Sequence, residues 1–350
     1  MRNLFLASLC FFVLTSVKAA INSEWPSYSD PKIQVPAYEK KFSNLPLAAT
    51  INDSQKLWAN DYWPRRNGLI NYRWNAKNPT GFKLVSPTKA ELLKMSLEEI
   101  ATLAPSEKLD ILNGNYDYPL KEESDSRSSP RAPIWHGICH GWSPAAINHN
   151  EPLAKTLINP DGIAVPFGSS DIKGLLSYYY AYKHEVSSTH QMGKRCQINI
   201  GPGCDNDLNA GAFHLVLTNK LGLENTSFVA DIERGRQVWN HAANEYSSIV
   251  VRDNLPPASD SAKGTVRRVQ VKTAMTVVMK IAKNSWEPVL GTEAQINEVR
   301  NYEYTLELNA SGEIIGGEWI SHARPDFLWT MKKAEAFKGQ FSRLSELLND

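Results

Sequence analysis

The most constraining feature of this chain is the alternation of its last third. VQVKTAMTVVMK, beginning at Val269, and the pair YEYTLEL and EIIGGEWI, separated by Asn309, Ala310, Ser311 and Gly312, place apolar side chains at about every second position. Such runs bury one face of an antiparallel sheet, and the short spacer ending in glycine reads as a hairpin turn. The same period is read earlier. AFHLVLT at 212–218 sets Phe213, Leu215 and Leu217 on one side and Ala212, His214 and Val216 on the other, and SFVAD at 227–231 follows with Gly222 between them. Upstream the pattern is helical. Thr88 with Glu91 and Ser96 with Glu99 have capping-box spacing, and Leu92, Leu93, Leu97, Ile100 and Leu103 recur near the helical period. Further helices are predicted over 107–112, from Cys139 through Ala145, Ala146 and Ile147, and over 171–184 with Ser170 as N-cap. Helices first and antiparallel strands after predict the α+β class.

Residues 1–19 have the pattern of a secretory signal peptide: Arg2, an apolar run from Leu4 to Val17, then the small-residue exit at Ala19 and Ala20. The run is shorter than the roughly 20 residues a spanning helix needs. No membrane anchor is therefore expected after cleavage, and the protein is expected outside the cell, or in the periplasm if the source is bacterial. Residues 20–125 read as an N-terminal lobe of aromatic-rich coil and short helices, integral to the molecule rather than a propeptide. KEESDSRSSPRAP at 121–133 reads as an exposed polar loop leading into a catalytic domain over 126–345. With 38 basic against 37 acidic side chains and no run of Lys or Arg, nucleic acid is not expected as a partner.

Cleavage of the signal removes Cys10 and leaves Cys139, Cys196 and Cys204, an odd number for an exported protein. Cys196 and Cys204 flank QINIGPG, which can turn the chain back, and an oxidising compartment favours their disulfide. Cys139 is then the free thiol. If the strands at 212–218 and 227–231 form a hairpin centred on Gly222 and Leu223, His214 lies opposite Asp231 with Cβ atoms roughly 4.5–5.5 Å apart. A carboxylate so placed holds an imidazole in one tautomer, and an imidazolium beside a thiol favours the thiolate. Cys139, His214 and Asp231 thus form a candidate nucleophile, base and orienter.

WHGICHGWSPAA at 135–146, DLNAGAFHLVLTNKLG at 207–222, FVADIERGRQVWN at 228–240 and YEYTLELNASGEIIGGEW at 302–319 together resemble the transglutaminase elicitor family, secreted proteins of plant-pathogenic oomycetes with bacterial relatives. The resemblance runs from DYWP at 61 to DFLW at 326. It implies a papain-like core in which the sheet packs against the Cys-bearing helix. It also implies a transglutaminase: Cys139 in GICHGW attacks a protein Gln, His214 in GAFH is the base, Asp231 orients it, and a Lys amine resolves the thioester. The partners implied are proteins with accessible Gln and Lys, and no cofactor is required. The Cys139 N–H and the indole of Trp135 or Trp142 are candidate oxyanion donors. A glutamine deamidase or a cysteine protease would use the same residues, and a non-enzymatic secreted recognition protein could keep the fold alone.

Two features depart from the pattern. His140 follows Cys139 and the tryptophan comes three later, at Trp142, with Pro144 expected only in a first helical turn. VWN at 238–240 continues with His241, Ala242, Ala243 and Asn244, where the plant-recognised oomycete members continue Gln-Pro-Val-Arg-Gly, so the resemblance does not support elicitation through that peptide. His136, Cys139 and His140 also suit zinc or copper, although no second ligand pair sits at compatible spacing. Asp205, Asp207 and Asn209 begin a calcium-loop spacing, but Val216 stands where the bidentate Glu should be, so calcium is an optional ligand at most. The sequons at Asn52, Asn225 and Asn309 matter only in a eukaryotic secretory pathway.

Overall fold

The computed structural model describes residues 25–196 and 208–349. The expected signal peptide at 1–19, Cys10, Cys204, Asp205 and Asp207 lie outside the described residues. Thr88 and Ser96 each accept the N–H of the Glu three residues on, and each Glu returns the bond. Helices α1 (Lys89–Leu92) and α2 (Leu97–Ala101) therefore start where the capping boxes place them. α3 (Pro105–Leu112) opens on a proline, and Glu107 reaches back to the Ala104 N–H at 3.0 Å.

α4 (Pro119–Ser126) occupies half of the stretch expected as an exposed loop. Its own N-cap, Tyr118, makes no side-chain cap. Instead the Asp110 carboxylate of α3 accepts from the N–H groups of Leu120 at 3.1 Å and Lys121 at 3.0 Å, and Leu120 is buried. A carboxylate supplied from another helix satisfies the orphan donors of the first turn as a local cap would. Nothing in the polar sequence itself carries that signal. One hydrophobic cluster runs from Trp58 and Trp63 through Leu109 and Ile111 to Trp142, Leu175 and Phe341. Residues on both sides of position 125 therefore share a core.

α5 (Cys139–Asn148) and α6 (Ser169–Tyr182) cross close together, with the small β2 (Lys155–Ile158) and β3 (Ala164–Phe167) hairpin between them in sequence. Gly141 makes the approach possible, because a Cβ there would collide with the Ser177 carbonyl oxygen and the Ala181 methyl. Pro144 lies inside α5, beyond the first turn to which the sequence reading confined it.

The antiparallel sheet runs in the order β4 (Thr189–Gly193), β10 (Phe327–Met331), β5 (Val229–Asp231), β6 (Asn240–Leu255), β7 (Arg267–Val278), β8 (Asn297–Leu308) and β9 (Ile314–Trp319), with β1 (Ala48–Thr50) paired to β6. The alternation read from the sequence is the burial pattern: Val269, Val271, Thr273, Met275 and Val277 of β7 point inward. The β8–β9 hairpin turns at Asn309, whose side chain accepts the N–H groups of Ser311 and Glu313 at 3.0 Å each. Residues 212–218 are not a strand. Residues 212–217 belong to α7 (Ala210–Leu217), capped by Asn209, which accepts the N–H groups of Gly211 and Ala212, and Thr218 opens the π-helical turn that follows; every residue of α7 is buried. A short run that is apolar on all sides carries no period, so alternation could not tell a buried helix from a strand. α7 packs on one sheet face with Ala230, Leu328 and Tyr304. On the other face Val229 and Trp329 meet Ile147 of α5. The fold is α+β. No helix among the described residues is long and apolar enough to cross a membrane.

The α5–α6 contact predicts that Gly141→Ala, which drives a methyl into the Ser177 carbonyl, lowers the unfolding free energy by about 2 kcal/mol or more. Chemical denaturation measures it; an unchanged midpoint and slope would show that the two helices can separate without cost.

Candidate active site

Cys139 is the first residue of α5, and the segment that delivers it is pinned to the lobe. The Ile138 N–H donates to the Tyr62 carbonyl at 2.7 Å, and the Arg65 N–H donates to the His136 carbonyl at 2.8 Å. Gly137 lets the strands of coil touch, since a Cβ there would strike the Tyr62 carbonyl. Cys139 is a free thiol. Cys196 is disulfide-bonded, and its expected partner Cys204 lies outside the described residues.

The thiol faces the paired ends of β5 and β6. Asp231 lies directly opposite Asn240 in the sheet, which places both side chains on one face. The Asn240 amide Nδ2 approaches the Cys139 Sγ at 3.9 Å, and its Oδ1 accepts from the Trp329 indole at 2.8 Å. Ser143, one turn into α5, donates its hydroxyl to the Asn240 carbonyl at 2.7 Å. Asp231 accepts the Trp239 N–H at 2.8 Å through Oδ1, while Oδ2 is buried without a protein partner among the described residues.

Electrostatics follow from burial. Burial pushes the Cys139 thiol up, the Asn240 N–H groups pull it down, and the Asp231 charge pushes it up again. Burial also pushes Asp231 up, to about 8, against the Trp239 N–H and with the Asp326 charge adding to the rise. Two groups whose negative charges oppose one another titrate as a pair, and the second charge is the costly one.

A cavity of about 310 Å³ opens over the thiol, walled by Tyr62, Trp142, Trp239 and Met279, with His241 in its lining and Lys280 and Arg300 at its margin. Tyr62 and Trp239 have ring centroids 5.7 Å apart. His241 donates from Nδ1 to the Val278 carbonyl at 2.7 Å, which leaves Nε2 as an acceptor, buried and without a protein partner among the described residues. Burial lowers its pKa to about 4, so the ring is neutral at physiological pH.

His214 is elsewhere. It lies on α7, its Nδ1 hydrogen-bonded to the Tyr304 hydroxyl at 2.8 Å, in a chain that continues to Thr273 and Ser248. Burial lowers its pKa to about 3. The register expected to set it opposite Asp231 does not form, because 212–218 is helical and β5 pairs with β6 and β10. Trp142 is not a free oxyanion donor either, as its indole donates to the Trp58 carbonyl at 3.1 Å. Trp135 stands edge-on to His136 at 4.1 Å and beneath the Arg195 guanidinium. Among the described residues no group of three or more His, Cys, Asp or Glu side chains is placed to hold a metal. Asn209 spends its side chain on capping α7 and on the Gly317 carbonyl, and the two aspartates that would complete the calcium spacing lie outside the described residues. The sequence reading missed Asn240, His241 and Trp329. All three stand in or beside quoted motifs, VWN and DFLW, but only the strand pairing shows that Asn240 meets Cys139, with Trp329 bonded to its amide and His241 in the same cavity.

A free cysteine that opens a helix set against an antiparallel sheet, with an amide from that sheet at the sulfur and a buried carboxyl on the same sheet face, defines a thiol-bearing α+β fold. Residues 120–339 match the family model described as Transglutaminase elicitor, and the chain belongs to that family. Among solved structures it is similar to the GP42 transglutaminase from Phytophthora sojae, at 22% identity with a TM-score of 0.66, covering 89% of this chain and 92% of that one. A search of curated proteins gives no match.

Asp231 makes a stability prediction. The unfolded chain releases this proton near pH 4, whereas the folded chain keeps it to about 8. Between those values the native state holds the extra proton, so this group's contribution makes stability fall as pH rises from about 4 to about 8. Asp231→Asn removes that slope. Relative to the parent, the variant gains about 1 kcal/mol or more in urea unfolding between pH 5 and 8; a gap that stays constant would show that Asp231 titrates as an ordinary carboxyl.

Proposed function

We propose that this protein is a secreted protein-glutamine γ-glutamyltransferase that works through a thioester on Cys139, with Asp231 as its proton partner. The observation that carries the reading is the free thiol at the head of α5 set against Asn240 and, through the sheet pairing, on the side of Asp231, a buried carboxyl whose second oxygen has no protein partner among the described residues. Family membership supports the reaction class. The proposed acyl acceptors and donors are Lys amines and Gln side chains of proteins.

In the first half-reaction the Sγ proton passes to the Asp231 carboxylate as sulfur bonds to the Gln amide carbon. The C–N bond then breaks, ammonia leaves with that proton, and the acyl group remains as a thioester. In the second half-reaction a Lys amine attacks the thioester, its proton returns to Asp231 and on to the sulfur, and the isopeptide bond is complete. The aromatic walls formed by Tyr62 and Trp239 exclude water from the thioester, which favours the amine over hydrolysis. A Cys–Asp pair replaces the expected triad here, since His214 is committed to Tyr304 in the other core.

The test follows amine incorporation into a Gln-rich protein together with ammonia release. Cys139→Ala abolishes both, Asp231→Asn lowers both by about 100-fold or more, and ammonia release by the parent climbs with pH toward a plateau above about 8, where Asp231 ionises. Ammonia without amine incorporation would make the protein a deamidase, peptide-bond cleavage would make it a protease, and neither would favour the recognition protein. His214→Gln lowers thermal stability while activity per folded molecule persists. Loss of activity in fully folded His214→Gln would return the base to His214.

A further inference from the structure

We infer that the side-chain amide of Asn240 is a hydrogen-bond donor to the Cys139 thiolate, and that Trp329 is the positioning residue that aims it. The inference deepens the proposed reaction and rests on Cys139 being its nucleophile. An asparagine amide has one end that donates and one that accepts, and either end could face the sulfur. The indole N–H of Trp329 decides which, because it can only donate. Its 2.8 Å bond to Oδ1 turns Nδ2 toward Sγ, 3.9 Å away. With Oδ1 at the sulfur instead, Nδ2 would meet the indole N–H donor to donor.

Three further restraints hold Asn240 against rotation or drift. Its carbonyl accepts the Ser143 hydroxyl from α5, its backbone pairs with Asp231 on β5, and its backbone N–H also reaches the thiol. Asn240 and Trp329 are both buried, at 3% and 5% exposure, so water does not compete for the amide. A donor fixed in a dry site costs nothing to reorganise when the negative charge appears on sulfur. At 3.9 Å the contact is loose for a neutral thiol and shortens as the sulfur gains charge, which is the differential interaction that accelerates a step. The titratable and charged groups around the sulfur from other elements are Asp231 on β5, Glu233 just beyond it, His241 on β6, Lys280 after β7, Arg300 on β8, Tyr62 of the lobe and Tyr182 at the end of α6. Trp329→Phe changes none of them and keeps the ring that packs on Val229 and Ile147.

The test measures the rate of Cys139 alkylation by iodoacetamide against pH, followed by mass, in the full chain, the Trp329→Phe variant and the Asn240→Asp variant, with near-ultraviolet circular dichroism as the check on folding. Trp329→Phe raises the midpoint of the profile by about one pH unit, and Asn240→Asp, which keeps the acceptor for the indole but puts an acceptor at the sulfur, raises it further. In amine incorporation, Trp329→Phe lowers kcat about tenfold and leaves KM unchanged. A folded Trp329→Phe with the parent's alkylation midpoint overturns the positioning role, and a folded Asn240→Asp with that midpoint overturns the donor. Should Trp329→Phe fail to fold, Asn240→Asp decides. If the parent shows neither amine incorporation nor ammonia release while both midpoints shift, the transglutaminase reading falls and the donor assignment stands.

Discussion

The site depends on one contact, the first turn of α5 seated against the paired ends of β5 and β6. Sequence supplies α5 with no side-chain cap at Ile138 and with a proline in its interior, so the helix does not fix its own start. Tertiary bonds fix it. Tyr62 holds the Ile138 N–H on one side, and Asn240 accepts the Ser143 hydroxyl on the other, while the sulfur lies between them. A helix placed this way delivers Cys139 to the face shared by Asp231 and Asn240, and a slip of even one residue would turn the sulfur away by about 100°.

Buried charges brace the other side of α5. Lys173 of α6 pairs with Glu151, just beyond the α5 C-terminus, and donates to the carbonyl of Ala59 in the lobe at 3.2 Å. Glu151 also accepts the N–H groups of Val289 at 2.7 Å and Leu290 at 2.8 Å. One turn along α6, Ser177 presents the carbonyl that fits Gly141. A second pair, Lys108 with Asp171 at 2.7 Å, joins α3 to the first turn of α6, and Trp74 donates to the same carboxylate. Ion pairs so completely buried contribute little net stability, because desolvation offsets their attraction. Burial lowers the pKa of both lysines accordingly. What the pairs supply is register: each charge has only one place where all its partners are met, and that fixes α6 and the lobe around α5.

Much of this was legible in the sequence. The capping boxes at Thr88 and Ser96, the strand alternation from Val269 and the hairpin at Asn309 are local signals, and local signals survive folding. Cys139 as the free thiol followed from counting cysteines. The failures share a cause. α4 is capped by Asp110 from another helix, α7 is buried on every side and so shows no period, and β6 begins with NHAANEYSS, whose small and polar residues hide a strand that is buried at one end and exposed at the other. Each depends on a partner distant in sequence. The same cause moved the histidine. A hairpin centred on Gly222 would have set His214 against Asp231, but once 210–217 is helical the residue opposite Asp231 is Asn240, on the strand that follows Asp231 rather than on the segment that precedes it.

That substitution of Asn240 for an imidazole changes the electrostatics of the site. An imidazole beside the thiol would make an ion pair, with thiolate and imidazolium each stabilising the other. Asp231 cannot do this, because its charge and the thiolate's repel. In the proposed reaction the proton transfer between them would move one negative charge from oxygen to sulfur, and the neighbouring donors would decide how costly that move is. The carboxylate is met by the Trp239 N–H at 2.8 Å and more loosely by the Glu233 N–H at 3.5 Å. The sulfur is met by the backbone N–H groups of His140 and Asn240 and by the Asn240 amide. With donors on both sides, the charge has a prepared place at either end of its path. Such a balance is what a group needs in order to take a proton in one step and return it in the next.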